Sequence, residues 1–138
     1  MKRLTEYLNE HVSMRLNKIE FERKDSVEGD SANICINDSF EISEVHEKMI
    51  AISLTRHIFC QPEGLIDICV EFEIARYIDD EEPVVFNDFD LEKEITKENI
   101  DDIIDLNFNR ASALISDITS GFGMNPFITP PMFVDEDL

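Results

Sequence analysis

The sequence predicts an α+β fold: a four-stranded antiparallel sheet with one long C-terminal helix on one face, plus a short N-terminal helix. Three observations predict it. Between Ser13 and Ile74 apolar residues recur at every second position in four runs, the period of a strand with one buried face. From Ile100 to Ile118 they recur at every third or fourth position, the period of an amphipathic helix. The connections between the runs are short, which favours antiparallel pairing in a meander or a Greek key. The 138 residues fit one domain, 1–138.

The elements follow in order. Leu4, Tyr7, Leu8 and Val12 have helical spacing, so residues 1–11 read as the short extra helix. Met14 and Leu16 alternate in one phase and Ile19 and Phe21 in the other, as in a strand with a bulge at Asn17 and Lys18; residues 13–24 form strand one. The polar stretch 25–33 with Gly29 is a loop. Ile34, Ile36, Phe40 and Ile42 share one face of strand two, and Ile50, Ile52, Leu54 and Ile58 one face of strand three. A turn at Gln61-Pro62-Glu63-Gly64 makes a hairpin to strand four, where Ile66, Ile68, Val70, Phe72 and Ile74 alternate with Asp67, Glu71 and Glu73. Residues 79–95 are an acidic loop broken by Pro83. Thr96 is the N-cap of the long helix, whose first turns carry Glu98, Asp101 and Asp102. Gly121 or Gly123 ends it, and Pro126, Pro130 and Pro131 keep the tail over 124–138 extended.

Composition narrows the function. With 31 Asp and Glu against 12 Lys and Arg, the formal net charge of −19 repels nucleic-acid phosphates and anionic lipid heads, so neither is an expected partner. No run approaches the ~20 apolar residues that span a bilayer. The charges at Lys2, Arg3, Glu6 and Glu10 interrupt any apolar leader, and Cys35, Cys60 and Cys69 lack CxxC spacing; both features predict a cytoplasmic protein with reduced thiols.

Catalytic groups are not expected. His46, Glu47, His57 and Cys60 are the one cluster inviting a metal or a nucleophile, but strand residues eleven or three apart point to opposite faces. Gly121-Phe122-Gly123 ends a helix, whereas phosphate-binding glycines open one. No cofactor and no metal are predicted.

The passage Leu114 to Phe133, with Ser120-Gly121-Phe122-Gly123-Met124-Asn125-Pro126-Phe127-Ile128-Thr129-Pro130-Pro131-Met132-Phe133 at its end, resembles the helix end and Pro-containing extended segment of SecB, the bacterial protein-export chaperone. Lys18-Ile19-Glu20-Phe21-Glu22 is similar to that family's opening strand. The sequence departs from the family in four places. Lys18 stands where the family typically has an acid, 79–95 replaces a glycine-rich connection, the short N-terminal helix is an addition, and the family's second C-terminal helix is not expected after Phe133.

What the resemblance implies is an ATP-independent holdase, assembled as a dimer of dimers, that binds unfolded or precursor polypeptides for export by burial on apolar grooves. Aromatic and Met side chains suit varied clients because rings bring area and thioethers repack, so Phe122, Met124, Phe127, Met132 and Phe133 are the groove candidates. Glu22, Glu71 and Glu73 fall where the family's acidic face binds the ATPase SecA. Two alternatives stand beside export: a SecB-like chaperone of a toxin–antitoxin system, and an acidic adaptor domain that binds one folded protein.

Overall fold

The computed structural model describes residues 2–23, 33–61, 66–121 and 128–134. Four strands, β1 (Leu8–Arg23), β2 (Asn33–Val45), β3 (Met49–Gln61) and β4 (Ile66–Ile78), form one antiparallel sheet in the order β1-β4-β3-β2. Consecutive strands β2, β3 and β4 are neighbours and β1 closes against β4, which is a Greek-key order. The bulge expected at Asn17 is present: Leu16 faces Phe72 and Lys18 faces Glu71, so Asn17 has no opposite number.

The N-terminal helix does not form. Leu4–Glu6 makes a single 3-10 turn, tied by the Glu6 carboxylate to the Arg3 amide, and β1 begins at Leu8. Eleven residues are too few for a helix to persist without tertiary support. Pairing with β4, from Leu8 opposite Ile78 onward, supplies a ladder instead. The helical spacing of Leu4 and Tyr7 still has a use, because Leu4 is fully buried and the Tyr7 ring lies 5.8 Å from that of Phe89.

One sheet face is covered and the other is open. The covered face contributes Ile50, Ile52, Leu54 and Ile58 from β3, and Ile66, Ile68, Val70, Phe72, Ile74 and Ile78 from β4, all buried. The acidic segment 79–95 packs on this core through its own apolar residues. It contains a 3-10 turn at Phe86–Asp88 and the single-turn helix α1 (Leu91–Glu94), and it buries Phe86, Phe89 and Ile95.

The predicted long helix is broken in two, α2 (Ile100–Ile103) and α3 (Phe108–Gly121). Thr96 is no cap for it; its amide donates to the side chain of Asn99, the residue that precedes α2. Asp105 and Leu106 lie in the left-handed region, with φ of 57° and 56°. The Leu106 amide reaches back to the Asp101 carbonyl at 2.8 Å, the bond of a helix C-terminus. Asn107 binds the Ile104 carbonyl through its side chain, and Arg76 takes that of Ile103. The break lets Ile100, Ile103, Ile104 and Phe108 all enter the core, where Phe108 meets Phe72 edge to face at 5.6 Å. Among the described residues no helix is long and apolar enough to cross a membrane.

Candidate functional site

Two charged residues interrupt the apolar phase of adjacent strands. Asp38 stands between Ile36 and Phe40 on β2, and Arg56 between Leu54 and Ile58 on β3; the register places them directly opposite. Their side chains have no solvent exposure. Arg56 donates from Nε to Asp38 Oδ1 at 2.9 Å and from Nη2 to Oδ2 at 2.7 Å, while its guanidinium lies over the Phe108 ring, 4.9 Å from the centroid. Charge this deep is tolerated only when paired and fully hydrogen-bonded.

The remaining donors of Arg56 hold the C-terminal segment. Nη1 donates to Ser112 Oγ on α3, to Thr129 Oγ1 and to the Pro130 carbonyl; Nη2 donates to the Met132 carbonyl at 2.7 Å. Ser112 donates to the Pro130 carbonyl at 2.7 Å. The main-chain donors of the segment also end on side chains, Phe133 N–H on Asp101 Oδ1 at 2.9 Å and Val134 N–H on Asp38 Oδ2 at 2.7 Å. One ladder-like bond, from the Asp38 amide to the Val134 carbonyl at 3.3 Å, ties the segment to edge strand β2. Residues 129–134 therefore lie in a groove between β2 and α3, and the chain bends there at Pro131 and Met132 instead of running extended as its prolines predict.

Of the predicted groove residues, Phe122, Met124 and Phe127 lie outside the described residues. Met132 is half exposed. Phe133 points inward, its ring 5.8 Å from both Phe40 and Phe108, so in this state it fills the groove and is not part of its wall. The polar walls come from Arg56, Asp38, Asp101 and Ser112, and Phe40 and Phe108 bound the place of the Phe133 ring. A signal for the first two was present, since opposite charges at inward positions of neighbouring strands have to meet a buried need. More apolar surface stays open on the covered face, at Leu16 and Ile19 within β1 and at Ile34 near the start of β2.

The open face of the sheet carries the acidic candidates. Glu71 and Glu73 are two residues apart on β4, and Glu22 lies farther along, opposite Asp67. All three project from the same face, but Lys18 is opposite Glu71, and Arg15 is opposite Glu73, 3.4 Å from its carboxylate. Lys18 pairs with Glu20 at 3.1 Å, and that hydrogen bond and charge raise the lysine pKa. Arg15 and Lys18 thus place two positive charges among the acids on the β1 side. Toward β2, a depression of about 300 Å³ is lined by Ser39, Phe40, Glu41, Ser53, Thr55 and Glu71.

His57 and Cys69 are opposite each other on this face, and His57 Nε2 is 2.8 Å from Asp67 Oδ1. Burial, and then the nearby Glu20 carboxylate, push the Cys69 thiol above the usual range, which disfavours the nucleophilic thiolate. His46 lies 3.3 Å from Glu44, away from His57. Among the described residues no three His, Cys, Asp or Glu side chains converge as a metal site.

No protein-family model matches this sequence, and no curated protein matches it. Solved structures do match its fold. A protein of unknown function from Streptococcus agalactiae aligns with a TM-score of 0.46 at 10% identity, over 87% of this chain and 97% of that one. The Mycobacterium tuberculosis SecB-like chaperone Rv1957, solved in complex with a ChAD peptide from the antitoxin HigA1, aligns with a TM-score of 0.59 at 10% identity, over 91% of this chain and 86% of that one. This chain is therefore similar in fold to a SecB-like chaperone.

Proposed function

We propose that the protein is a chaperone that holds extended polypeptide without nucleotide and without catalysing a reaction. One observation carries this: the groove between β2 and α3 already holds a stretch of chain outside any helix or strand, its main-chain carbonyls on Arg56 and its amides on Asp101 and Asp38. Contacts to main-chain groups are shared by every sequence, and a ring pocket bounded by Phe40 and Phe108 adds burial for one large side chain. The fold likeness to a chaperone solved with an antitoxin peptide supports polypeptide as the ligand class.

Two client classes follow, precursors for export and the antitoxin of a toxin–antitoxin pair, and the peptide in that similar structure favours the second. Assembly as a dimer of dimers in the cytoplasm belongs to the same proposal, as does a SecA-type partner on the face of Glu22, Glu71 and Glu73. Arg15, paired with Glu73, and Lys18, opposite Glu71, weaken that last surface as a landing site for a basic partner.

The test is aggregation. Stoichiometric protein, without nucleotide, is expected to suppress light scattering by a chemically unfolded, aggregating enzyme. An adaptor for one folded partner leaves the scattering unchanged, and that result overturns the proposal. Static light scattering of the protein alone is expected to give four chains per particle.

A further inference from the structure

We propose that residues 129–134 are a built-in competitor: the protein's own tail occupies the polypeptide groove as a client would, and clients bind by displacing it. This rests on the holding function proposed above and specifies how that site is regulated.

Three features distinguish a displaceable occupant from an ordinary piece of core. First, most of its anchoring is through main chain, with the carbonyls of Pro130 and Met132 and the amides of Phe133 and Val134 all taken by side chains of the groove. An incoming segment offers the same kinds of carbonyl and amide group, so tail and client compete for the same side-chain partners. Second, the tail commits few side chains. Ile128 is 89% exposed and Met132 51%, Pro130 and Pro131 are exposed, Thr129 is buried, and Phe133 and Val134 are partly buried. Third, the groove keeps its own pairing when the tail leaves. Arg56 and Asp38 hold each other through two hydrogen bonds independent of it, so displacement exposes a formed site and not an unpaired buried charge.

The tail is also a strong competitor for its size. Pro130-Pro131 restricts the backbone dihedrals in advance, which lowers the ordering cost of docking. Its tether gives it an effective concentration in the mM range. A client reaches the groove only in the fraction of molecules with the tail out, and its apparent affinity falls by that fraction. Short or weak segments are excluded, while long unfolded chains, which reach Leu16, Ile19 and Ile34 as well, win.

The experiment uses the full chain and, as probe, reduced and carbamidomethylated lysozyme, a permanently unfolded and basic polypeptide, in 0.15 M salt to screen simple charge attraction. Binding is followed by fluorescence anisotropy of the labelled probe, and amide hydrogen exchange of Phe133 and Val134 is followed with and without it. The expected result is bound probe together with exchange of both amides at least tenfold faster. In a second arm, Phe133→Ser is expected to bind the probe tenfold or more tighter than the unaltered chain. Probe bound with both amides as protected as before overturns the competitor and leaves the holding function standing. Weaker binding by Phe133→Ser also overturns it, making Phe133 a client contact. No binding by either protein removes the holding function and the competitor with it.

Discussion

Arg56 and Asp38 face each other across β3 and β2 with both carboxylate oxygens matched to guanidinium nitrogens, at 2.9 and 2.7 Å, and neither side chain reaches solvent. The pair joins four parts of the chain, because the same guanidinium also touches α3 at Ser112 and the segment Thr129 to Met132. Asp38→Asn removes the counter-charge and leaves Arg56 buried, so it is expected to destabilise the protein by about 3–5 kcal/mol. The double change Asp38→Leu with Arg56→Met removes both charges and is expected to recover at least half of that loss. Urea denaturation of the three proteins measures both quantities.

Phe108 is the ring against which the two layers meet, touching Phe72 from the sheet, Phe133 from the tail and the Arg56 guanidinium. Phe108→Ala is expected to cost about 3–5 kcal/mol, the range for a fully buried ring whose site cannot collapse. Phe108→Leu, which keeps most of the volume, is expected to cost less than half as much. Thermal unfolding by circular dichroism ranks them.

Leu106 has a φ of 56° while more than half exposed, so it bears left-handed strain with little burial in return. A residue with a Cβ gives up roughly 1–2 kcal/mol in this region, whereas glycine gives up none of it but loses more entropy on folding. Leu106→Gly is therefore expected to stabilise by about 0.5–1 kcal/mol. A higher urea midpoint with an unchanged slope is the confirming result.

Cys69 has its thiol pKa raised by burial first and by Glu20 second. A raised pKa means less thiolate at any pH below it, so iodoacetamide is expected to alkylate Cys69 more slowly at pH 8 than it does a free thiol. Its rate should keep rising past the pH where the free thiol levels off. Glu20→Gln is expected to speed the reaction, and Lys18→Ala, which removes a charge that lowers the thiol pKa, to slow it. Peptide mapping by mass spectrometry reads all three.

The sheet was legible because its strands keep strict alternation. β4 reads inward and outward from Ile66 to Ile78 without an exception in burial, and the phase change across Leu16 and Ile19 located the bulge. The helix break was not legible. Ile100, Ile103, Ile104, Phe108 and Ala111 keep helical spacing through it, and the left-handed positions hold Asp105 and Leu106 where glycine would have marked a stop. The N-terminal residues misread for a related reason, since spacing over one turn is common to a 3-10 turn and a helix. The groove was read for its filling and not its walls. Phe133 is aromatic and conspicuous, whereas Arg56 and Asp38 signal only that a charge sits at an inward position, and their pairing shows once the register puts them face to face.

The sheet order has a consequence for synthesis. β1 is made before its partner, and every one of its ladder bonds waits for β4, from Arg23 opposite Ile66 to Leu8 opposite Ile78. At translation rates on the order of 5–20 residues per second, an apolar strand stays unmatched for several seconds while β2, β3 and β4 zip together as local hairpins. A polypeptide whose own first strand must remain unclaimed that long has a nascent-chain hazard of its own, and the charges of Arg15, Lys18, Glu20 and Glu22 along that strand are placed to keep it from aggregating in the interval.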